Sequence, residues 1–375
     1  MDVVGVKDWL GVQGSIVRDL LERARGGEDG GRRHHRRSRR AGIESGYIDQ
    51  DYFDKGAKIV SRDECLNADI CLCVKVPEIV DLEKIKEGCV LIGILNPYEN
   101  NRYFDTFNEK KIAACSMELI PRISRAQSMD VLSSQANLAG YRSVIDAAEQ
   151  FKKAFPMMMT AAGRVNPAKV MVLGVGVAGL QAIATAKRLG AVVSATDVRI
   201  ATKEQVESLG AKFIMVEIDD LENFETKSGY AKEMNDEYKK KQEILIAETI
   251  AKQDIVICTA LIPGKKAPIL ITEDMVKTMA PGSIIIDLAV EAGGNCPLSK
   301  LNKIVNYNDV KIIGHANVPS RVAKDASALY AKNIFNFLNL LIDKEQKKIN
   351  FNWEDEIISS VVLTFEGKVR LENFN

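Results

Sequence analysis

The sequence has no excess of charge of either sign, no long apolar run, no paired cysteines and almost no histidine. Lys+Arg and Asp+Glu each number 51, which leaves a formal net charge of zero. Nucleic acid is therefore not the expected partner, because gripping a phosphate backbone normally takes a basic excess. The most apolar stretches, such as Ser283–Ala289 and Phe335–Ile342, fall far short of the ~20 residues of a membrane span. The seven cysteines (Cys65, Cys71, Cys73, Cys89, Cys115, Cys258, Cys296) form no CxxC pair and no His/Cys cluster. Such a scattered, odd-numbered set suits buried small hydrophobes in a reducing compartment, so no metal site is expected. The chain reads as cytosolic. Of its three histidines only His315 lies beyond the first 40 residues.

What is present is an ordinary globular composition, 46% hydrophobic and 27% charged. At 375 residues the chain exceeds what one core normally holds, so two domains are expected. Residues 1–40 differ from the rest: they hold nine of the 19 arginines but one lysine, whereas lysines outnumber arginines 31 to 10 afterwards. Gly26–Arg40 is low in complexity, and six arginines in its last nine residues repel one another in any compact state. Residues 1–40 are expected to be disordered or non-homologous. They are too acidic for a transit peptide, and no function is assigned to them.

From residue 41 onward, short β-branched runs alternate with helical ones. Ala57–Val60, Ile70–Val76, Val90–Leu95 and Lys111–Ala114 read as parallel strands with crossovers. A loop, Pro121–Ser133, precedes a long helix with Leu138, Tyr141, Ile145, Ala148 and Phe151 on one stripe and Pro156 as its stop. A second long helix over about 322–342 carries Ala326, Tyr330, Ile334, Phe337 and Leu341 on one side. Between them lie six strands: Val170–Leu173, Val192–Thr196, Phe213–Val216, Ile255–Thr259, Ile284–Ala289 and Lys311–Gly314. The expected fold is α/β, with two Rossmann-like domains and a deep cleft. The first domain is 41–133 plus 322–375. The second, 134–321 with its linker helix, is a complete doubly wound parallel sheet, and two long helices join the two.

Strand Val170–Leu173 runs into Gly174-Val-Gly176-Val-Ala-Gly179 and a helix through Leu189 that Gly190 can cap. Gly174 permits the tight turn, Gly176 lets a pyrophosphate approach, and Gly179 lets helix pack on strand. The helix N-terminus offers free N–H groups and a positive dipole end. A glycine fingerprint alone is weak. Here the preceding strand, the following helix and an acidic residue ending the next strand, Asp197, are all present. Asp197 can accept from an adenosine ribose and would repel a 2′-phosphate, which favours NAD over NADP. Arg199 nearby pulls slightly the other way.

Five strings carry a more specific signal: Pro121-Arg-Ile-Ser-Arg-Ala-Gln-Ser-Met-Asp130, Ser133-Ser-Gln-Ala-Asn-Leu-Ala-Gly-Tyr-Arg142, Met157-Met-Met-Thr-Ala-Ala-Gly163, Thr259-Ala-Leu-Ile-Pro-Gly264 and Glu291-Ala-Gly-Gly-Asn-Cys-Pro297. Together they resemble the NAD(H)-binding component of the proton-translocating NAD(P) transhydrogenases, relatives of the alanine dehydrogenases. The likeness runs from about Gly42 to the C-terminus. The family's opening Pro-Lys-Glu and Arg-Val-Ala segments have no counterpart in residues 1–40.

The resemblance implies a mobile loop whose Arg122, Gln127 and Asp130 act at the nicotinamide end, with Ser128, Met129 and Ser133 beside the cofactor. It implies further NAD(H) contacts at Gly174, Gly176, Val177, Gly179, Asp197, Val198, Arg199, Ala260 and Leu261, and a second mobile loop with Gly229 and Tyr230. It also implies a homodimer and two kinds of partner subunit, one membrane-spanning and one holding NADP(H). The chain would then sit on the cytoplasmic or matrix face of the membrane, peripheral to it.

Chemistry separates the alternatives. Direct hydride transfer between two nicotinamide rings needs no general acid or base, only alignment and the exclusion of water. Oxidation of an amino acid needs a base. Alanine dehydrogenases carry a histidine where this chain has Asn96 and an aspartate where it has Glu291; Lys75 does match their carboxylate-binding lysine. An alanine dehydrogenase-like oxidoreductase and a degraded NAD-binding module are the competing readings.

Overall fold

Most of the β-branched runs become strands of two separate sheets. The computed structural model describes residues 3–5, 36–38, 42–55, 57–99, 101–216, 236–262, 264–343 and 348–371. Contacts divide the chain into two units, Met1–Gln135 with Val322–Asn375, and Ala136–Arg321.

In the first unit eight strands lie in the order Lys368–Val369, Val362–Phe365, Ala113–Ser116, Val90–Ile94, Ile70–Lys75, Val3–Gly5, Arg36–Ser38, Lys58–Val60. All but the first two pair in parallel; those two add an antiparallel edge. The run Lys111–Ala114 pairs two residues later than the sequence suggests, because Lys111 takes a positive φ of 51° that ends the preceding helix. Val3–Gly5 and Arg36–Ser38 correct the expectation for residues 1–40. They fill the space between Ile70–Lys75 and Lys58–Val60, whose facing backbone edges would otherwise lack ladder partners. The remainder of residues 1–40 lies outside the described residues.

Three helices matter below: α1, Val131–Gln150; α2, Val177–Arg188; and α3, Ala323–Leu341. The sequence reads α3 correctly, since Ala326, Tyr330, Ile334, Phe337 and Leu341 are all buried. Each large apolar side chain so placed contributes about 1.5–3 kcal/mol of transfer free energy. It reads α1 less well. That helix starts at Val131 because Asp130 caps it: Ser133 donates its backbone N–H to Oδ1 at 2.8 Å and its hydroxyl to Oδ2 at 2.5 Å. It ends at Gln150, before Pro156 can act. Its buried face is Ser143, Val144, Asp146 and Ala147, while Tyr141 of the expected stripe is exposed. The difference follows from Asp146, which buries its charge by pairing with Arg142 and Arg321 at 2.7 and 2.9 Å, so polarity does not mark the outer face.

The second unit is a seven-stranded sheet in the order Lys212–Phe213, Val192–Thr196, Lys169–Leu173, Ile255–Cys258, Ile284–Asp287, Val310–Gly314, Lys303–Tyr307. The first six are parallel and give the doubly wound order expected. The last is an antiparallel edge strand that the sequence reading misses. Its signal is Asn308-Asp309, both at positive φ (48° and 59°), the backbone of a two-residue hairpin turn. The expected strand Phe213–Val216 shrinks to Lys212–Phe213, since the Val216 N–H donates to the Gln242 side chain at 2.9 Å instead of a ladder. All seven cysteines are buried and free, as small hydrophobes in these cores.

Candidate functional site

The glycine turn is built as its spacing requires. Lys169–Leu173 delivers the chain to Gly174, which sits at φ 95°, where a side chain would be strained. A Cβ on Gly179 would lie 2.0 Å from the Gly174 carbonyl oxygen, so helix and strand could not approach as they do. A Cβ on Gly176 would meet nothing within 4 Å. Gly176 is exposed and is the N-cap of α2, with no side chain capping it. The first-turn N–H groups of a 12-residue helix therefore face open space, and that space fits a pyrophosphate.

Asp197 ends the neighbouring strand, and its side chain is only 6% exposed. Its Oδ2 accepts from the Val175 N–H at 2.6 Å, which ties it to the glycine turn. Arg199 supplies the other donors: its N–H and Nε to Oδ1 at 2.8 and 2.9 Å, and Nη2 to Oδ2 at 3.0 Å. Burial pushes the Asp197 carboxyl up, but the Arg199 and Val175 hydrogen bonds outweigh it and hold the group below its ordinary range. A carboxylate offers about four acceptor positions, so a ribose hydroxyl would have to displace part of the arginine fork.

Thr259 and Ala260 back the turn. Thr259 donates its hydroxyl to the Gly174 carbonyl at 2.8 Å. Asn295 then holds the next segment, donating Nδ2 to the carbonyls of Ala260 and Pro268 at 2.9 and 2.8 Å. Asn295 is itself fixed by Asp287, whose fully buried carboxylate accepts from the N–H groups of Ala289, Asn295 and Cys296 and from the Ser299 hydroxyl. Val177, Val198 and Leu261 are apolar yet 39%, 73% and 53% exposed, an arrangement suited to contact with a flat ligand.

In the first unit Ser124–Met129 forms a short 3-10 helix. Ala126 and Met129 are buried, while Arg122, Gln127 and Ser128 are exposed. Among the described residues the side chains of Arg122 and Gln127 have no hydrogen-bond partner. Met129 points into the core, and Asp130 and Ser133 are engaged with each other at the start of α1.

A family model described as alanine dehydrogenase/PNT, C-terminal domain, matches residues 143–372, and the corresponding N-terminal domain matches 38–139. The first of the polypeptides that make up the NAD(P) transhydrogenase alpha subunit of Rhodospirillum rubrum is 62% identical over 285 residues, spanning 76% of this chain and 74% of that protein. The chain belongs to the alanine dehydrogenase/PNT family, among the NAD(P) transhydrogenase alpha subunits. The corresponding alpha-subunit polypeptide of Rickettsia prowazekii is 48% identical over 334 residues, 88% of this chain and 86% of that one. A solved transhydrogenase structure from Sinorhizobium meliloti is 44% identical, with a TM-score of 0.86 over 98% of this chain and 99% of that one.

Within this transhydrogenase-type chain the structure brings Gly174, Gly176, Gly179, Asp197, Arg199 and Ala260 together around one turn. Gly229 and Tyr230 lie outside the described residues. Sequence reasoning missed Thr259, Asp287 and Asn295 as supports. Two of them stand in the family-like strings, Thr259 at the head of one and Asn295 within Glu291–Pro297, so the signal was present but unassigned. No helix among the described residues is long and apolar enough to cross a membrane.

Proposed function

We propose that this chain is the NAD(H)-binding component of a proton-translocating NAD(P) transhydrogenase. The observation that carries the reading is Gly176: an exposed, unobstructed glycine at an uncapped helix N-terminus, beside a buried carboxylate tied to the same turn. The α2 N–H groups would hold the pyrophosphate, and Asp197 would accept from the adenosine ribose. Arg122, Gln127 and Asp130 would position the nicotinamide end, with Ser128, Met129 and Ser133 beside it. Val177, Val198, Arg199, Gly229, Tyr230, Ala260 and Leu261 complete the proposed contacts. When bound, the dinucleotide supplies a hydride that passes directly to NADP⁺ on a partner subunit. Membrane-spanning partners would couple that exchange to proton movement, with this chain a homodimer on the cytoplasmic or matrix face. Its relatives' name, NAD(P) transhydrogenase subunit alpha, supports this reading.

Asp197 should make the site reject a 2′-phosphate. A like charge facing a buried carboxylate costs several kcal/mol, so NADPH should bind on the order of 100-fold more weakly than NADH. Calorimetry with both nucleotides tests this, and comparable affinities would overturn the NAD assignment.

A further inference from the structure

A six-residue 3-10 helix has poor internal hydrogen bonds, yet Ser124–Met129 carries an exposed Gln127 in a defined place. Side chains far along the chain hold it. The Ser128 carbonyl accepts two amides at once, Asn333 Nδ2 and Asn336 Nδ2, both at 2.9 Å. The two asparagines stand three residues apart on one face of α3. A carbonyl has two lone pairs, so this one is saturated and the peptide plane between Ser128 and Met129 cannot rotate without losing a donor. Asn333 is fixed at its other end too, since its Oδ1 accepts from the Ser134 hydroxyl at 2.7 Å.

A second tether lies on the other side of Gln127. Arg125 sets both guanidinium nitrogens on Asp355, each at 2.7 Å, and Asp355 also accepts the Ile357 N–H to cap the helix Glu356–Val361. Asparagine is a weak helix former, and Asn333 is buried on a face otherwise made of Tyr330, Ala331, Ile334 and Phe337. Packing does not ask for an amide there. The Ser128 carbonyl does.

We propose that Asn333 and Asn336 are positioning residues that fix Gln127 through the Ser128 carbonyl. The inference rests on the reading that Gln127 acts at the nicotinamide end. Asn336 is half-buried and tolerates change better than Asn333, so the test uses the full chain with Asn336→Ala, Asn336→Asp and Asn336→Gln, beside Gln127→Asn. Three quantities are read: NADH affinity by calorimetry, turnover of hydride exchange with an NADP-binding transhydrogenase component, and backbone amide exchange over residues 124–130 without nucleotide.

Asn336→Ala should speed amide exchange there and lower kcat by about 10-fold, the ratio one lost hydrogen bond supports, with NADH affinity within about 2-fold. Asn336→Asp, the same size but turning an acceptor toward the carbonyl, should be worse. Asn336→Gln should restore part of both. Faster amide exchange with unchanged kcat would overturn the inference while leaving the role of Gln127 standing, as would equal losses of kcat and affinity. If Gln127→Asn itself left turnover unchanged, the underlying reading and this inference would both fall.

Discussion

At Gly174–Gly179 the backbone itself sets the shape. One glycine stands at positive φ, another allows a carbonyl within 2.0 Å of where its Cβ would be, and the supports come from adjacent strands. At Ser124–Met129 the backbone carries little, and the shape comes from amides and a carboxylate more than 200 residues away in sequence. The first device resists any change of residue at a few positions. The second can be loosened one hydrogen bond at a time. A rigid turn suits gripping the invariant phosphates, whereas a segment with graded tethers suits placing a reacting ring.

The sharpest break in this comparison lies within the glycine turn. Gly179→Ala should destabilise the protein by about 3 kcal/mol, the upper range for forced overpacking, and lose NADH binding with it. Gly176→Ala should do the opposite. Its φ of −83° suits alanine and its Cβ meets nothing. The poorer cap and the reduced unfolded-state entropy roughly cancel. Thermal melting should therefore stay near wild type while NADH affinity falls about 10-fold or more, a steric loss of ~1.4 kcal/mol. A Gly176→Ala protein that bound NADH normally would mean that no ligand approaches the turn.

The other region is probed by Gln127→Asn. Most affinity should come from the phosphates and adenosine at the glycine turn, so shortening an exposed side chain should leave NADH binding nearly intact. A ring displaced by about 1 Å can lose on the order of 100-fold in rate. Equal falls in affinity and turnover would make Gln127 a ground-state contact instead.

This contrast also explains which features are legible in the sequence. The glycine turn was legible because φ signs and close approaches demand glycine, and that demand is local in sequence. Helix α3 was legible because burial writes a 3.6-residue stripe. The tethers of Ser124–Met129 were not, since Asn333 and Asn336 look like ordinary polar interruptions of an apolar helix until the fold sets Ser128 above them. Asp287 was hidden likewise, as a carboxylate inside an apolar strand end whose donors all come from the following turn. The buried face of α1 was misread because its polar members are paired, and periodicity counts only apolar residues.

The smallest expected effect concerns the pair at the edge of the glycine turn. Asp197 has a lowered folded pKa, because the hydrogen bonds from Arg199 and Val175 outweigh its burial. A lowered carboxyl stabilises the fold above its unfolded pKa, and the contribution disappears as pH falls through the folded value. Arg199→Ala should therefore cost stability at pH 7, and the gap from wild type should close on acidification below about pH 4. Arg199 is 39% exposed, so screening limits its share to on the order of 0.5–1 kcal/mol. That corresponds to about 2–4 °C of melting temperature at most for a unit of this size. The measurement is paired melting curves of wild type and variant from pH 7 to pH 3 at fixed ionic strength. A gap that persisted unchanged at pH 3 would show that Arg199 stabilises by packing rather than by its charge on Asp197. The variant also frees acceptor positions on the carboxylate, so NADH affinity should hold or rise slightly. A clear fall in affinity would show that Arg199 touches the nucleotide itself.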